Sequence, residues 1–416
     1  MLISELSILN LVILLNLYFV NFNNIIVYME NLLSWLNQHK VNTDNLKIID
    51  QPNNERGVVS AKHIKNDDFV FLIPKHLIIT NRTADQLPEI KQLGEIFKNK
   101  TPTEKNIIKI SVFMLFAEAY EGVMTNIDWT PYFDTLPETL DHIPTFWGEE
   151  LNYLKGSYLF ERVMERNNLI HEEYKILKKT LLDFKEFSFY EYQRMRSIVS
   201  SRNFKLVINK DIVSGMVPFA DMLNHSNTCQ TRWSFNDELQ SYQMVAKAPI
   251  RPGDEITDSY GIKPMDSYFM YYGFVLPDSD VRVYIKINDF SSYVTSNINS
   301  TQFNSLLTYI RSKILDGNYI TKYQDRHSEL EVMKQIYKLL GQMKKKYPHT
   351  INYYIKHKTK GSQNKKNAYT ILAGELEIIE KLMNKVTIIM KYLKGQNVSL
   401  EYSDVEKYIS DNVIRQ

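Results

Sequence analysis

The order of patterns along the chain predicts an α+β fold. Strand-like segments occupy residues 47–80 and 213–287, and helical periodicity fills about 84–192 between them. Helical periodicity returns from about residue 301 onward. Two strand-rich pieces can close one discontinuous β domain around a helical insert, with a helical domain after it. At roughly 100–200 residues per domain, the 416 residues accommodate two or three domains and a sizeable core.

Composition narrows the class. Hydrophobic residues are 44% and charged residues 24%, as in ordinary globular chains. That excludes a wholly disordered chain, a collagen and a polytopic membrane protein. Fifty Lys+Arg against 48 Asp+Glu leave a net charge of +2, so no global basic field argues for nucleic acid. The single Cys229 excludes a disulfide framework and a Cys-rich zinc cluster, and it fits a reducing compartment. The cytoplasm or nucleus is the expected location, and a monomer the expected state.

Each element follows from local signals. Leu6 to Val20 is nearly all apolar, and the first 28 residues hold no Lys or Arg. A spanning helix needs about 20 apolar residues. A secretory signal needs a basic start and a cleavage site. The stretch therefore reads first as a gene-model extension ahead of a start at Met29, and otherwise as a hydrophobic anchor or a tail. Membrane association arises only if it is expressed. The amphipathic segment Glu30 to Leu36 comes next. Gly57-Val58-Val59-Ser60-Ala61 is strand-like, and the turn Lys65 to Asp68 leads into the apolar run Phe69 to Pro74. Ile107, Ile110, Met114 and Leu115 recur with helical spacing, as do Leu151, Leu154, Tyr158 and Leu159. A last long helix is expected over Asn367 to Leu393. The domains so read are an extension at 1–28, a β domain with insert at 29–288 and a helical domain at 289–416.

Between Lys344 and Lys366 stand eight lysines and no acidic residue. The plain reading is a solvated loop between helices. The sharper one is a docking surface for an acidic protein or nucleic acid.

Chemistry concentrates in a few segments. Pro218-Phe219-Ala220-Asp221-Met222-Leu223-Asn224-His225-Ser226 sets a carboxylate, an amide, an imidazole and a hydroxyl within six positions. Downstream come Arg251 to Ile256, then Asp258-Ser259-Tyr260-Gly261, then Tyr272-Gly273-Phe274; upstream stands Ser201-Arg202-Asn203-Phe204. Alone, His225 reads as a structural histidine, and Asp254 and Glu255 as a solvated turn. No metal-ligand spacing, Gly-rich phosphate loop or nucleophile elbow is present, so metal, kinase and hydrolase chemistry find no support.

Taken together and in order, these segments resemble the SET-domain protein methyltransferases. The branch is the one containing Rubisco large-subunit lysine methyltransferase and actin-histidine methyltransferase. Glu55-Arg56-Gly57-Val58-Val59-Ser60-Ala61 resembles the first motif, Ser201 to Phe204 the arginine motif, and Asp221 to Ser226 the Asn-His signature. Asp258 to Gly261 resembles the tyrosine motif, and Tyr272-Gly273-Phe274 the end of the domain. Trp129-Thr130-Pro131-Tyr132-Phe133-Asp134-Thr135-Leu136-Pro137 in the insert is similar to this branch specifically.

The resemblance implies a discontinuous SET β-fold with a helical insert and an all-α substrate-binding domain. It implies S-adenosyl-L-methionine as cofactor and a protein side chain as methyl acceptor, the protein docking on the helical domain. It places Tyr260 at the reacting centre. It gives Arg56, Gly57, Arg202, Asn224, His225 and Phe274 to the cofactor: Arg202 to its carboxylate, Phe274 to its adenine. Phe204, Asp221 and Tyr272 fall on the substrate side, with Asp221 also able simply to order its own turn. Actin-histidine enzymes carry Asn and Trp where this chain has Phe204 and Ala220. An aromatic at Phe204 narrows an apolar channel, so lysine is the expected acceptor. Histidine, or a non-catalytic binding module, is the alternative.

Overall fold

A computed structural model describes residues 27–51, 55–120, 126–315 and 324–414. The reading of residues 1–28 falls almost wholly outside them. The first described helix, at 27–38, buries Leu32, Trp35 and Leu36 at three- and four-residue spacing. Among the described residues no helix is long and apolar enough to cross a membrane.

The chain divides into two compact units. The first joins Met1–Thr139 to Ile170–Ile262, and the second joins Leu140–Leu169 to Lys263–Gln416. The boundary drawn at 288/289 follows motif order; packing draws another line. Leu154, Leu159, Val163, Met265 and Phe269 share one apolar core with Leu306, Ile336, Leu372 and Leu376, so 140–169 and 263–288 belong with the C-terminal helices.

Among the described residues the first unit holds eight strands. β1 (Leu46–Gln51) pairs antiparallel with β2 (Glu55–Ser60), Ile49 opposite Gly57. β3 (Phe69–Pro74), β8 (Ser241–Ala246) and β7 (Thr231–Asn236) form one sheet in that order. β4 (Ile79–Thr80), β6 (Asp211–Met216) and β5 (Asn203–Ile208) form another. Val70, Phe71 and Ile73 are buried and Phe69 is half exposed, with a register irregularity between Phe69 and Phe71 in the pairing to β8.

Two capped helices position the site. Thr101 and Glu104 form a reciprocal capping box with Pro102 at the first helical position, starting the helix Pro102–Ala119. Ser188 and Glu191 repeat the device for Phe189–Arg202. That helix runs ten residues past the expected insert end at 192, placing Arg202 in its last turn and Asn203 at the start of β5.

The second unit is mainly helical: Thr301–Ile314, Arg326–Lys346, Ile351–His357, Gln363–Leu393 and Ser403–Ile409, with the hairpin β9 (Val283–Ile287) and β10 (Phe290–Val294). The helix Met265–Tyr272 also lies here, inside the stretch read as strand. Its buried Met265, Phe269 and Met270 are packed by the neighbouring apolar core, which overrides the local Asn/Gly/Pro-rich pattern.

Candidate active site

The turn after β6 carries the densest chemistry. Phe219, fully buried, has φ +71, a conformation costly for a bulky residue. It leads into a single 3-10 turn, Ala220–Met222, then Leu223-Asn224-His225. This segment runs beside Asp258: the Asp258 amide donates to Asn224 O (2.9 Å) and the Ser226 amide to Asp258 O (2.9 Å). The Asn-His and tyrosine motifs, more than thirty residues apart in sequence, are thus one ladder.

Tyr260 is locked onto that ladder. Its hydroxyl donates to Leu223 O at 2.8 Å, and its amide donates to His225 Nδ1 at 3.1 Å. The two rings stack at 5.1 Å and 26°. His225 Nδ1 also lies 3.3 Å from Asp258 O, and Nε2 lies 3.2 Å from Asn227 Oδ1. His225 therefore orients Tyr260. With its proton aimed at Leu223, the phenolic oxygen retains acceptor capacity.

Asn224 spends both amide hydrogens on the protein: Nδ2 donates to Arg56 O (2.8 Å) and to Glu255 Oε1 (2.9 Å). A ligand would meet its Oδ1 or its backbone. The first bond ties the Asn-His turn to β2 at Arg56-Gly57. The second corrects the reading of Glu255 as a solvated turn: it is half-buried and holds Asn224. Asp254 is exposed and closes its own turn onto the Arg251 amide.

Arg202 reaches the same turn from its helix end. Its Nη1 donates to Asp221 O (2.8 Å) and approaches Asp221 Oδ2 (3.4 Å). Nε and Nη2 have no partner among the described residues, and the side chain is 24% exposed. Asp221 is buried, and its Oδ2 also accepts from Tyr132 (2.9 Å). Its Oδ1 has no partner. Burial pushes the Asp221 carboxyl above the usual range, against the pull of Arg202, Tyr132 and Arg56.

Phe204, on β5, sets its ring edge-on to Trp233 and Tyr242, each at 5.3 Å. Tyr242 is fully buried; burial, then Asp258 and Asp221, push its phenol well above the usual value. Burial raises Asp258 to about 6, opposed by the Ser259 amide, Lys247 and Trp233.

Tyr272 and Phe274 belong to the second unit, where their rings lie 5.8 Å apart and Phe274 stacks on Tyr268 at 5.4 Å. Burial, then Tyr268 and Tyr271, raise Tyr272 to about 12. Gly273 between them has φ +77, and a Cβ there would come within 2.5 Å of His142 O. Only glycine fits. Among the described residues no group of His, Cys, Asp and Glu is arranged to hold a metal ion.

Sequence reasoning missed Glu255 as a partner of Asn224 and gave no individual role to Tyr132. Glu255 sat in a polar turn that looked solvated. Tyr132 lies 89 positions from Asp221, and nothing in the spacing links them.

The SET domain family profile matches residues 55–261. Ribosomal lysine N-methyltransferase 4 of Saccharomyces cerevisiae is 25% identical over 250 residues, 54% of this chain and 49% of that protein. Actin-histidine N-methyltransferase of Xenopus tropicalis is 23% identical over 274 residues, 62% of this chain and 45% of that protein. The chain thus spans about half the length of these relatives. Rubisco LSMT bound to AdoMet shares the fold with TM-score 0.72 at 18% identity, covering 92% of this chain and 96% of that one.

Proposed function

This chain is a SET-domain protein, and from that premise we propose that it transfers a methyl group from S-adenosyl-L-methionine to a lysine side chain of another protein. One observation carries the reading: the Tyr260 hydroxyl lies 2.8 Å from the backbone of the Asn224-His225 turn, with its ring stacked on His225.

The residues suit the cofactor. The uncommitted Nε and Nη2 of Arg202 form a guanidinium fork of the kind that takes a carboxylate. Asn224 Oδ1, the His225 backbone and the β2 backbone at Arg56-Gly57 would hold the rest. Bound there, S-adenosylmethionine supplies an electrophilic methyl on a sulfonium.

The chain's own part is positioning. A lysine attacks only as the neutral amine, and its ordinary pKa is about 10.4. The apolar rings of Phe204 and Trp233 disfavour the ammonium form of an amine entering beside them. The Tyr260 oxygen would accept an N–H from that amine and hold its lone pair in line; such alignment supplies much of the barrier reduction. Asp221 is assigned to the anchoring of Arg202. Phe204 favours lysine over histidine because its ring edge fills space that an imidazole would need.

A protein acceptor docking on the C-terminal helices is part of the proposal. The segment 344–366 supports it: the exposed Lys345, Lys346, Lys356 and Lys360 have no ion pair among the described residues, while Lys344 pairs with Glu380. The test is incubation of purified protein and labelled S-adenosylmethionine with cell lysate, followed by mapping of the label. Label on lysine is expected. Label on histidine alone would overturn the lysine assignment.

A further inference from the structure

The insert segment around Trp129 grips the first unit at two points. Trp129 Nε1 donates to Leu77 O at 2.9 Å, in the strand-rich part of the unit. Three residues on, the fully buried Tyr132 donates to Asp221 Oδ2 at 2.9 Å. Thr135 Oγ1 caps Tyr132 O at 2.7 Å, and Arg194 Nε holds Pro137 O at 2.9 Å. The Tyr132 phenol is pushed well above its ordinary pKa by burial and by Asp221, so it remains a donor at working pH.

What Tyr132 holds is the anchor of Arg202. The Asp221 side chain is 1% exposed, and among the described residues its side-chain hydrogen bonds come from Tyr132 and Arg202, both on Oδ2, with Arg56 adding a longer-range attraction. Carboxylate rotation about χ2 is soft. Take away the phenol and, among the described residues, the one hydrogen bond left to keep Oδ2 rather than Oδ1 turned toward the guanidinium is the long 3.4 Å contact to Arg202. Arg202 would keep its bond to the Asp221 carbonyl and lose its second point of attachment. A guanidinium fixed at one point can swing; fixed at two, it presents Nε and Nη2 as a set fork.

We propose that Tyr132 is a positioning residue which, through Asp221, fixes the Arg202 fork that receives the cofactor's carboxylate. This rests on the S-adenosylmethionine reading given above. It makes the helical insert part of the binding machinery and gives the Trp-Thr-Pro-Tyr segment two separable jobs: Trp129 for attachment, Tyr132 for aim.

The experiment is calorimetric titration of wild-type protein, Tyr132→Phe, Trp129→Phe, Arg202→Met and the Tyr132→Phe/Arg202→Met double variant. Two ligands are compared, S-adenosylmethionine and its decarboxylated analogue. Tyr132→Phe should weaken S-adenosylmethionine binding about tenfold, the scale of one hydrogen bond to a charged group, and leave the analogue within about twofold. The double variant should bind no worse than Arg202→Met alone, because both act on one element. Trp129→Phe should lower the melting temperature without separating the two ligands. Equal loss for both ligands, or none, in Tyr132→Phe overturns the proposal. If that variant does not fold, Asp221→Asn replaces it with the same selective loss expected and equal loss contradictory. Failure of the wild-type protein to bind S-adenosylmethionine at all would instead overturn the cofactor reading, and this proposal with it.

Discussion

Each unit buries a glutamate on a long helix, and the two are held by opposite means. In the first, Glu173 accepts from Lys100 (2.8 Å), Arg196 (3.0 Å) and Tyr192 (3.0 Å). Burial pushes its carboxyl up, yet Arg196 and Lys100 override it and the net shift is downward. In the second, among the described residues Glu375 accepts from two hydroxyls, those of Ser157 and Tyr347, each at 2.9 Å. Burial dominates there and raises it to about 7. At Glu375 two hydroxyl donors do not offset the burial, whereas at Glu173 two contacting cations do. Asp221 sits between these cases, with one cation at long range and one oxygen unpartnered.

The largest break in this comparison is Glu173→Gln. It leaves buried Arg196 without its counter-charge and should cost about 3–5 kcal/mol by denaturant titration. Glu173 stabilises above its unfolded pKa, and that contribution is lost as pH falls through the lowered folded value. Glu375 has the reverse sign. A raised carboxyl means the fold favours the protonated form, so its favourable contribution is present at low pH and declines as pH rises from 4.5 to about 7. That shift corresponds to about 3 kcal/mol. Glu375→Gln should therefore flatten the pH dependence of stability over this window and cost little at pH 7.5. A slope unchanged from wild type would contradict the assignment. The finest contrast uses the two phenols. Tyr347→Phe should cost about 1–2 kcal/mol and push Glu375 higher still, because one of these two hydroxyl donors is gone. Tyr192→Phe should cost about 1 kcal/mol and leave Glu173 ionised by its two cations. Thermal melts across pH distinguish the pairs.

The same contrast explains what could be read from sequence. β3 occupies Phe69–Pro74 as its apolar run required, and the helix Gln363–Leu393 begins only four residues before the expected Asn367. Both are governed by local period. The Asn224-His225-Tyr260 ladder was legible because each member carries its own local motif. Glu255, Tyr132 and the helix Met265–Tyr272 were not, because their places are set by partners far away in sequence: an amide on another turn, a carboxylate 89 positions on, and an apolar core shared with the C-terminal helices.

The central claim is that Tyr260, fixed by Leu223 and His225, aligns the acceptor and does little else. The direct measurement is Tyr260→Phe, with single-turnover methylation of lysate protein and calorimetric binding of S-adenosylmethionine on the same preparation. The account predicts turnover lower by about two orders of magnitude, consistent with loss of one precisely placed catalytic hydrogen bond, with cofactor affinity within about threefold of wild type. Turnover equal to wild type, from a variant that still binds cofactor, would contradict it.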